Sequence, residues 1–293
     1  MEIRHDATRI GDACAQLGEG PAWDDRSGRL IWVDILGRIV HRLDPATGHD
    51  AALTVAADVG AAVPRAGGGL VLCLQDGPWL QEGDAAPEPW IALGHGPSVR
   101  CNDAKADPRG RLYAGTMGYD AAPGAGALYR IDPGSSRPVV VVPGVTISNG
   151  LAWSADGRTL WYIDSPKRCI DAYDVDPATG ALTGGRAVVD LGDVPGVPDG
   201  MTIDAEGGLW VAFFGGSGVR RFDPASGACD ARIDLPARDV TSCAFGGPDL
   251  ADLYITTAAV ACDAAELAAR PASGGLFRIR PGVRGTPTDR VAI

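Results

Sequence analysis

A turn followed by a leucine recurs six times along this chain, and the interval between copies limits the fold more than any other feature. The copies are Ser27-Gly28-Arg29-Leu30, Gly67-Gly68-Gly69-Leu70, Arg109-Gly110-Arg111-Leu112, Gly157-Arg158-Thr159-Leu160, Glu206-Gly207-Gly208-Leu209 and Leu250-Ala251-Asp252-Leu253. Successive leucines lie 40, 42, 48, 49 and 44 residues apart, the period of one propeller blade. In phase with them, short apolar strands end in Asp-Pro or Arg-Pro, at Leu43-Asp44-Pro45, Ile131-Asp132-Pro133, Val175-Asp176-Pro177, Phe222-Asp223-Pro224 and Ile279-Arg280-Pro281. Proline stops each strand, and Asp-Pro-Ala-Thr-Gly or Asp-Pro-Ala-Ser-Gly suits a tight reversal into a fourth strand. The second unit lacks this marker, with Glu82-Gly83-Asp84 standing about where it is due. Six glycine-rich, nearly helix-free units predict an all-β chain, a six-bladed β-propeller formed as one domain over residues 1–293. A sandwich of irregular hairpins needs no such period. Only the run from Cys262 to Arg270 reads as a helix, inserted in a loop.

Closing a propeller requires one terminus to complete a blade begun by the other, which removes an exposed sheet edge. Either the segment before Cys14 or the tail from Asp289 to Ile293 could do this. Trp23, Trp32, Trp153, Trp161 and Trp210 fall on blade strands at repeating offsets and are expected to pack between blades.

The net charge is −11 and Lys105 and Lys167 are the only lysines, which argues against nucleic acid or anionic membrane as a partner. The seven cysteines are odd in number and lack a C-x-x-C pair, so buried, reduced thiols are expected rather than a disulfide framework or thiolate metal site. No apolar run of signal-peptide or membrane-spanning character is present. The expectation is a soluble cytoplasmic protein, monomeric or weakly dimeric.

The repeat also superposes positions in different blades. Ten or eleven residues before the marker leucines stand Glu19, Gly60, Asn102, Asn149, Asp199 and Ser242. They lead into the innermost strand of each blade, where equivalent positions surround one mouth of a central channel. Asp199, in Val197-Pro198-Asp199-Gly200-Met201, is expected on a turn just ahead of its strand. Two carboxylates and an amide oxygen at one register form an all-oxygen set suited to Ca²⁺, Mg²⁺ or Mn²⁺, and tolerant of Fe²⁺ or Zn²⁺. Turn chemistry accounts for any single Asn-Gly or Asp-Gly pair, but not for three blades agreeing. Glycine follows Glu19, Asn149 and Asp199, and lets something approach closely at each.

Taken together, Leu17-Gly18-Glu19-Gly20-Pro21, Arg100-Cys101-Asn102-Asp103, Ala114-Gly115-Thr116-Met117, Ile147-Ser148-Asn149-Gly150-Leu151, Pro198-Asp199-Gly200-Met201 and Thr241-Ser242-Cys243-Ala244-Phe245-Gly246-Gly247 resemble the motifs of the SMP-30/gluconolactonase/regucalcin family. The resemblance extends from about Cys14 to Ile279. It implies a six-bladed propeller that hydrolyses sugar-acid lactones with one divalent metal on its axis. By the same match Glu19, Asn149 and Asp199 are the metal ligands, Arg100, Asn102 and Asp120 contact the sugar, and Asp199 doubles as the catalytic base. Many relatives carry glutamate where this chain has the shorter Asp120, which bears on the sugar preferred.

A lactone is an activated ester, and a carboxylate beside the attacking water can take its proton and return it to the ring oxygen as the ring opens. Arg100 offers a fixed fork of donors. A Ser-His-Asp site is disfavoured, since there is no G-x-S-x-G elbow and none of the four histidines is axial. Phosphate-binding glycine loops are also missing. The substrate expected is an aldonolactone such as glucono-, xylono-, arabinono- or galactonolactone. The rivals are a calcium-binding regulatory or scaffold propeller, and a hydrolase of other esters or organophosphates.

Overall fold

The structure is a computed structural model that describes residues 2–293. Two short strands, β1 (Glu2–Arg4) and β2 (Thr8–Ile10), precede the first blade. That blade comprises β3 (Gly18–Asp24), β4 (Arg29–Asp34), β5 (Ile39–Leu43) and β6 (Asp50–Thr54). Blade two is β7 (Val59–Pro64), β8 (Leu70–Leu74), β9 (Gly77–Gln81) and β10 (Glu88–Pro89); blade three is β11 (Val99–Ala106), β12 (Leu112–Gly118), β13 (Gly126–Ile131) and β14 (Val139–Val145). Blade four is β15 (Ser148–Trp153), β16 (Thr159–Asp164), β17 (Cys169–Val175) and β18 (Leu182–Asp190). Blade five holds β19 (Val197–Ile203), β20 (Leu209–Phe214), β21 (Gly218–Phe222) and β22 (Cys229–Asp234); blade six holds β23 (Asp239–Gly246), β24 (Asp252–Ala258) and β25 (Leu276–Ile279). The six sheets form a ring, a six-bladed β-propeller.

The six marker leucines are all buried on the second strand of their blades. The turns behave as their residues require. Asp44, Asp176 and Asp223 each accept, through Oδ1, the N–H two residues on, and Gly48, Gly180 and Gly227 take the left-handed conformation that closes the reversal. In the second unit Ala85 N–H bonds to Glu82 O at 2.9 Å, so a plain turn stands in for the missing Asp-Pro. The inserted helix is α1 (Ala264–Ala269), with Asp263 capping the Glu266 N–H at 2.9 Å.

The N-terminal segment closes the ring. β2 pairs antiparallel with β25 as the outer strand of blade six, while β1 adds a parallel fifth strand to β22. That second pairing has no signal in the repeat. The C-terminal tail instead crosses the face of the propeller where the innermost strands end. Gly285 N–H donates to Leu250 O, Ala205 N–H to Arg284 O, Val291 N–H to Pro64 O and Ala292 N–H to Gly110 O, so residues 284–292 tie blades five and six to blades two and three. Thr286, Pro287, Thr288 and Asp289 there bound a channel cavity of about 100 Å³.

The core is six layers, one at each blade junction. Trp23 stacks on Tyr254 across blades one and six at 5.9 Å, Trp153 meets Tyr113 across blades four and three at 5.0 Å, and Trp210 meets Phe245 across blades five and six at 6.0 Å. Half-buried Trp161 packs in the layer between blades four and five. Trp32 belongs to the layer between blades one and six, but its ring partner is His41 of its own blade, 4.0 Å away. The expectation of seven buried thiols holds only for Cys73, Cys101 and Cys243. Cys14 is exposed, and Cys169, Cys229 and Cys262 are half-buried because they lie on outer strands and loops. Among the described residues no helix is long and apolar enough to cross a membrane.

Asp289 supplies a test of the tail. Burial first, then the Asp107 charge, pushes its carboxyl up to about 6, with Lys105 opposing. An acid whose folded pKa lies above its unfolded value binds its proton more tightly when folded, so its contribution to stability falls as pH rises from about 4 through 6. Asp289→Asn should therefore raise stability at pH 7.5 by on the order of 1 kcal/mol and leave it unchanged near pH 4. Urea melts at the two pH values check this; an equal change at both would show that Asp289 is not held in this way.

Candidate active site at the channel mouth

Every innermost strand breaks register at the same level. The shifts fall between Glu19 and Ala22, Val59 and Ala61, Cys101 and Ala104, Asn149 and Leu151, Pro198 and Met201, and Val240 and Ser242. A β-bulge turns one side chain out of the pleat and re-aims it, and here six bulges face one axis. Asp199 is thus inside β19 at a bulge, not on a turn ahead of the strand as its Pro-Asp-Gly context suggests. The glycines do admit a close approach, but by the neighbouring blade. A Cβ on Gly150 would lie 2.7 Å from Met201 Cβ, and one on Gly200 would lie 2.1 Å from Ser242 Oγ.

The bulges bring the predicted residues into one buried cluster. Arg100 donates from Nη1 to Cys101 O at 2.9 Å and to Asn102 Oδ1 at 2.8 Å. Asn102 Nδ2 donates to Ser148 O and to Asn149 Oδ1, both at 2.8 Å. Asn149 Nδ2 donates in turn to Ser165 Oγ at 2.8 Å. That last bond aims the Asn149 amide oxygen, the atom needed by a hard cation, away from Ser165 and into the cluster. Asn102 spends both amide hydrogens on the protein and links Arg100 to Asn149. Nε and Nη2 of Arg100 donate to no described residue.

On the other side, Glu19 Oε2 accepts the Gly20 N–H at 2.9 Å, and the Asp199 carboxyl stands close to that of Glu19. Burial first, then the Asp103 charge, pushes Glu19 up to about 8 despite the Gly20 N–H and Arg100. Burial, followed by Glu19 and Asp103, holds Asp199 well above the usual carboxylate range. Burial also holds Arg100 below its ordinary value. Arg100 only partly compensates carboxylates crowded out of water in this way.

Asp120 is not part of this cluster. It is exposed in the loop after β12, and its Oδ1 accepts the Ala122 N–H at 3.0 Å. Groups that the repeat did not single out stand nearer. Tyr119 O–H donates to Asp58 Oδ2 at 2.9 Å, and Arg38 Nε meets Asp58 Oδ1 at 2.9 Å. Asp103, next to Asn102, is buried with Oδ2 unpartnered. Its motif Arg100-Cys101-Asn102-Asp103 was visible in the sequence, but counting selected only one residue per blade. No group of three or more His, Cys, Asp or Glu placed to hold a metal occurs among the described residues; the oxygen set of Glu19, Asn149 and Asp199 relies on an amide for its third member.

Fold and site together define a six-bladed propeller with a buried carboxylate-and-amide cluster on its axis and an arginine beside it. Residues 17–259 match the family described as SMP-30/Gluconolactonase/LRE-like region. The chain belongs to that family. It is 40% identical over 281 residues to a regucalcin from Danio rerio, covering 93% of each chain, and 36% identical over 288 residues to a pentonolactonase from Haloferax volcanii, covering 97% of each. The solved structure of a calcium-binding protein, regucalcin, from Agrobacterium tumefaciens superposes with a TM-score of 0.95 at 29% identity over the whole of both chains.

Proposed function

We propose that this protein is a sugar-lactone hydrolase that converts an aldonolactone, such as glucono-, xylono-, arabinono- or galactonolactone, to its aldonic acid. The observation that carries the reading is the meeting of Glu19, Asn149 and Asp199 at aligned bulges, with the half-used guanidinium of Arg100 beside them. The lactonase name of a relative that matches nearly end to end supports it.

The donor set fits a divalent cation. Two buried carboxylates, with an amide oxygen turned into the cluster by the Asn149 Nδ2 bond to Ser165, are crowded with negative charge and rich in hard oxygen. A cation held by Glu19, Asn149 and Asp199 would neutralise the carboxylates and polarise the lactone carbonyl. Asp199 takes a proton from the attacking water as its oxygen bonds to the carbonyl carbon. The acyl C–O bond then breaks, and Asp199 returns the proton to the departing ring oxygen. Arg100 directs Nε and Nη2 at the carbonyl or hydroxyl oxygens, and Asn102 keeps Arg100 and Asn149 in register.

A pH-stat screen of aldonolactones on chelated and metal-reloaded protein tests the reading. Turnover should vanish on chelation and return on reloading. A calcium-binding regulatory role, suggested by the name of the Agrobacterium relative, predicts cation binding with no turnover of any lactone. A site built on hydrogen bonds to hydroxyls rejects a ligand that leaves its buried polar groups unpaired. Butyrolactone should accordingly have a kcat/KM at least roughly a hundredfold below the best aldonolactone. Comparable values would point to a general esterase.

A further inference from the structure

One buried charge next to the cluster takes no part in the chemistry above. In five blades the residue after the axial position is small or apolar: Gly20, Ala61, Gly150, Gly200 and Cys243. In the third blade it is Asp103. The bulge between Cys101 and Ala104 carries both Asn102 and Asp103, so Asn102 joins the cluster while Asp103 lines the channel cavity beneath it. Asp103 is only 5% exposed. Its Oδ2 has no hydrogen-bond partner. A buried carboxylate oxygen without a donor is costly unless something positive faces it.

Lys105 lines the same cavity and its charge partly opposes that of Asp103, but among the described residues no cation bonds to Oδ2. Lys105 is two residues away, but its ammonium donates to Met201 O. The Arg100 donors are committed to Cys101 O and Asn102 Oδ1 or left without a described partner. Upward, Asp103 acts electrostatically on both Glu19 and Asp199. Three buried acidic side chains therefore act on one another, only partly offset by Arg100 and Lys105.

Resting on the reading of the cluster as a cation site, we propose that Asp103 is a positioning residue that acts from the cavity beneath as a fixed negative charge, strengthening cation binding by Glu19, Asn149 and Asp199 without ligating the ion. Its effect is long-range and scales with the charge of the ion. This separates it from a packing role, which is indifferent to that charge.

The test is calorimetric titration of the metal-free full chain with Ca²⁺ and with Tb³⁺, comparing the parent with Asp103→Asn. The variant should bind Ca²⁺ roughly tenfold more weakly, the size of effect typical of groups outside the ligand set. For Tb³⁺ the loss in binding free energy should be half again as large, roughly thirtyfold in affinity. The metal-free variant should melt no lower than the parent, because a like charge has been removed from beside Glu19 and Asp199. Should Asp103→Asn fail to fold, Asp103→Ser carries the same titrations. Unchanged affinity, or equal losses for both ions, overturns the role of Asp103 alone. A parent that binds neither ion overturns the cation site itself.

Discussion

Asp199→Asn is expected to fold, to retain part of its cation affinity and to lose turnover by on the order of 10²–10⁴-fold, the range for removal of a general base. The asparagine keeps an oxygen that can face a cation but has no basic site near neutral pH. Asp199 sits in a bulge fixed by the β19–β20 pairing on either side, Pro198 with Phe213 and Met201 with Val211, so an isosteric change leaves the strand in place. Titrated acid release under saturating lactone measures the loss, and a thermal melt confirms the fold. Full recovery of activity in excess metal would reduce Asp199 to a ligand. Among its neighbours Asn102 and Asn149 cannot accept a proton and Glu19 shares its ligand role, which leaves Asp103 as the carboxylate to examine next.

Gly200→Ala should be among the most damaging single substitutions in the chain. Its Cβ would lie 2.1, 2.5 and 2.9 Å from Oγ, Cβ and Cα of Ser242, and the last of these is backbone that cannot swing aside. Overpacking of this kind costs roughly 3 kcal/mol, which in a chain of this size lowers Tm by roughly 6–12 °C. Relief by pushing β19 away from β23 would also displace the adjacent Asp199, so activity should fall further than stability alone explains. Gly96→Ala is the control, since a Cβ there meets nothing within 4 Å. Equal melting temperatures for the two variants would mean that blades five and six are not packed this tightly.

These two residues show how differently parts of the site can be read. The axial register was legible because each blade repeats the same local chemistry: a buried leucine opening the second strand, and a polar group a fixed distance ahead of it. Asp199, Glu19 and Asn149 follow from that counting. Asp103, Asp58 and Tyr119 do not, since they have no equivalents in the other units and a periodic argument selects only what recurs. Asp120 stands apart from the buried cluster. It sits at the right distance from Met117, but its short side chain bonds the Ala122 N–H of its own loop and stays in solvent.

By itself the sequence determined the all-β class, the number of blades, the asparagine, aspartate and glutamate positions that face the axis, and the reversal chemistry at the Asp-Pro turns. All of these are set by spacing and by residues within a few positions of one another. Only the tertiary structure decided that the N-terminal strands close blades five and six, that the tail crosses the channel, and that the glycines after Glu19, Asn149 and Asp199 belong to bulges packed on the next blade. It also brought the lone Asp103 under the cluster. Each of these depends on pairings between segments far apart in the chain, as when Thr8 meets Arg278. Such a pairing is chosen by which edge is left open and which gap is left unfilled once all six blades are in place, and no local preference encodes it.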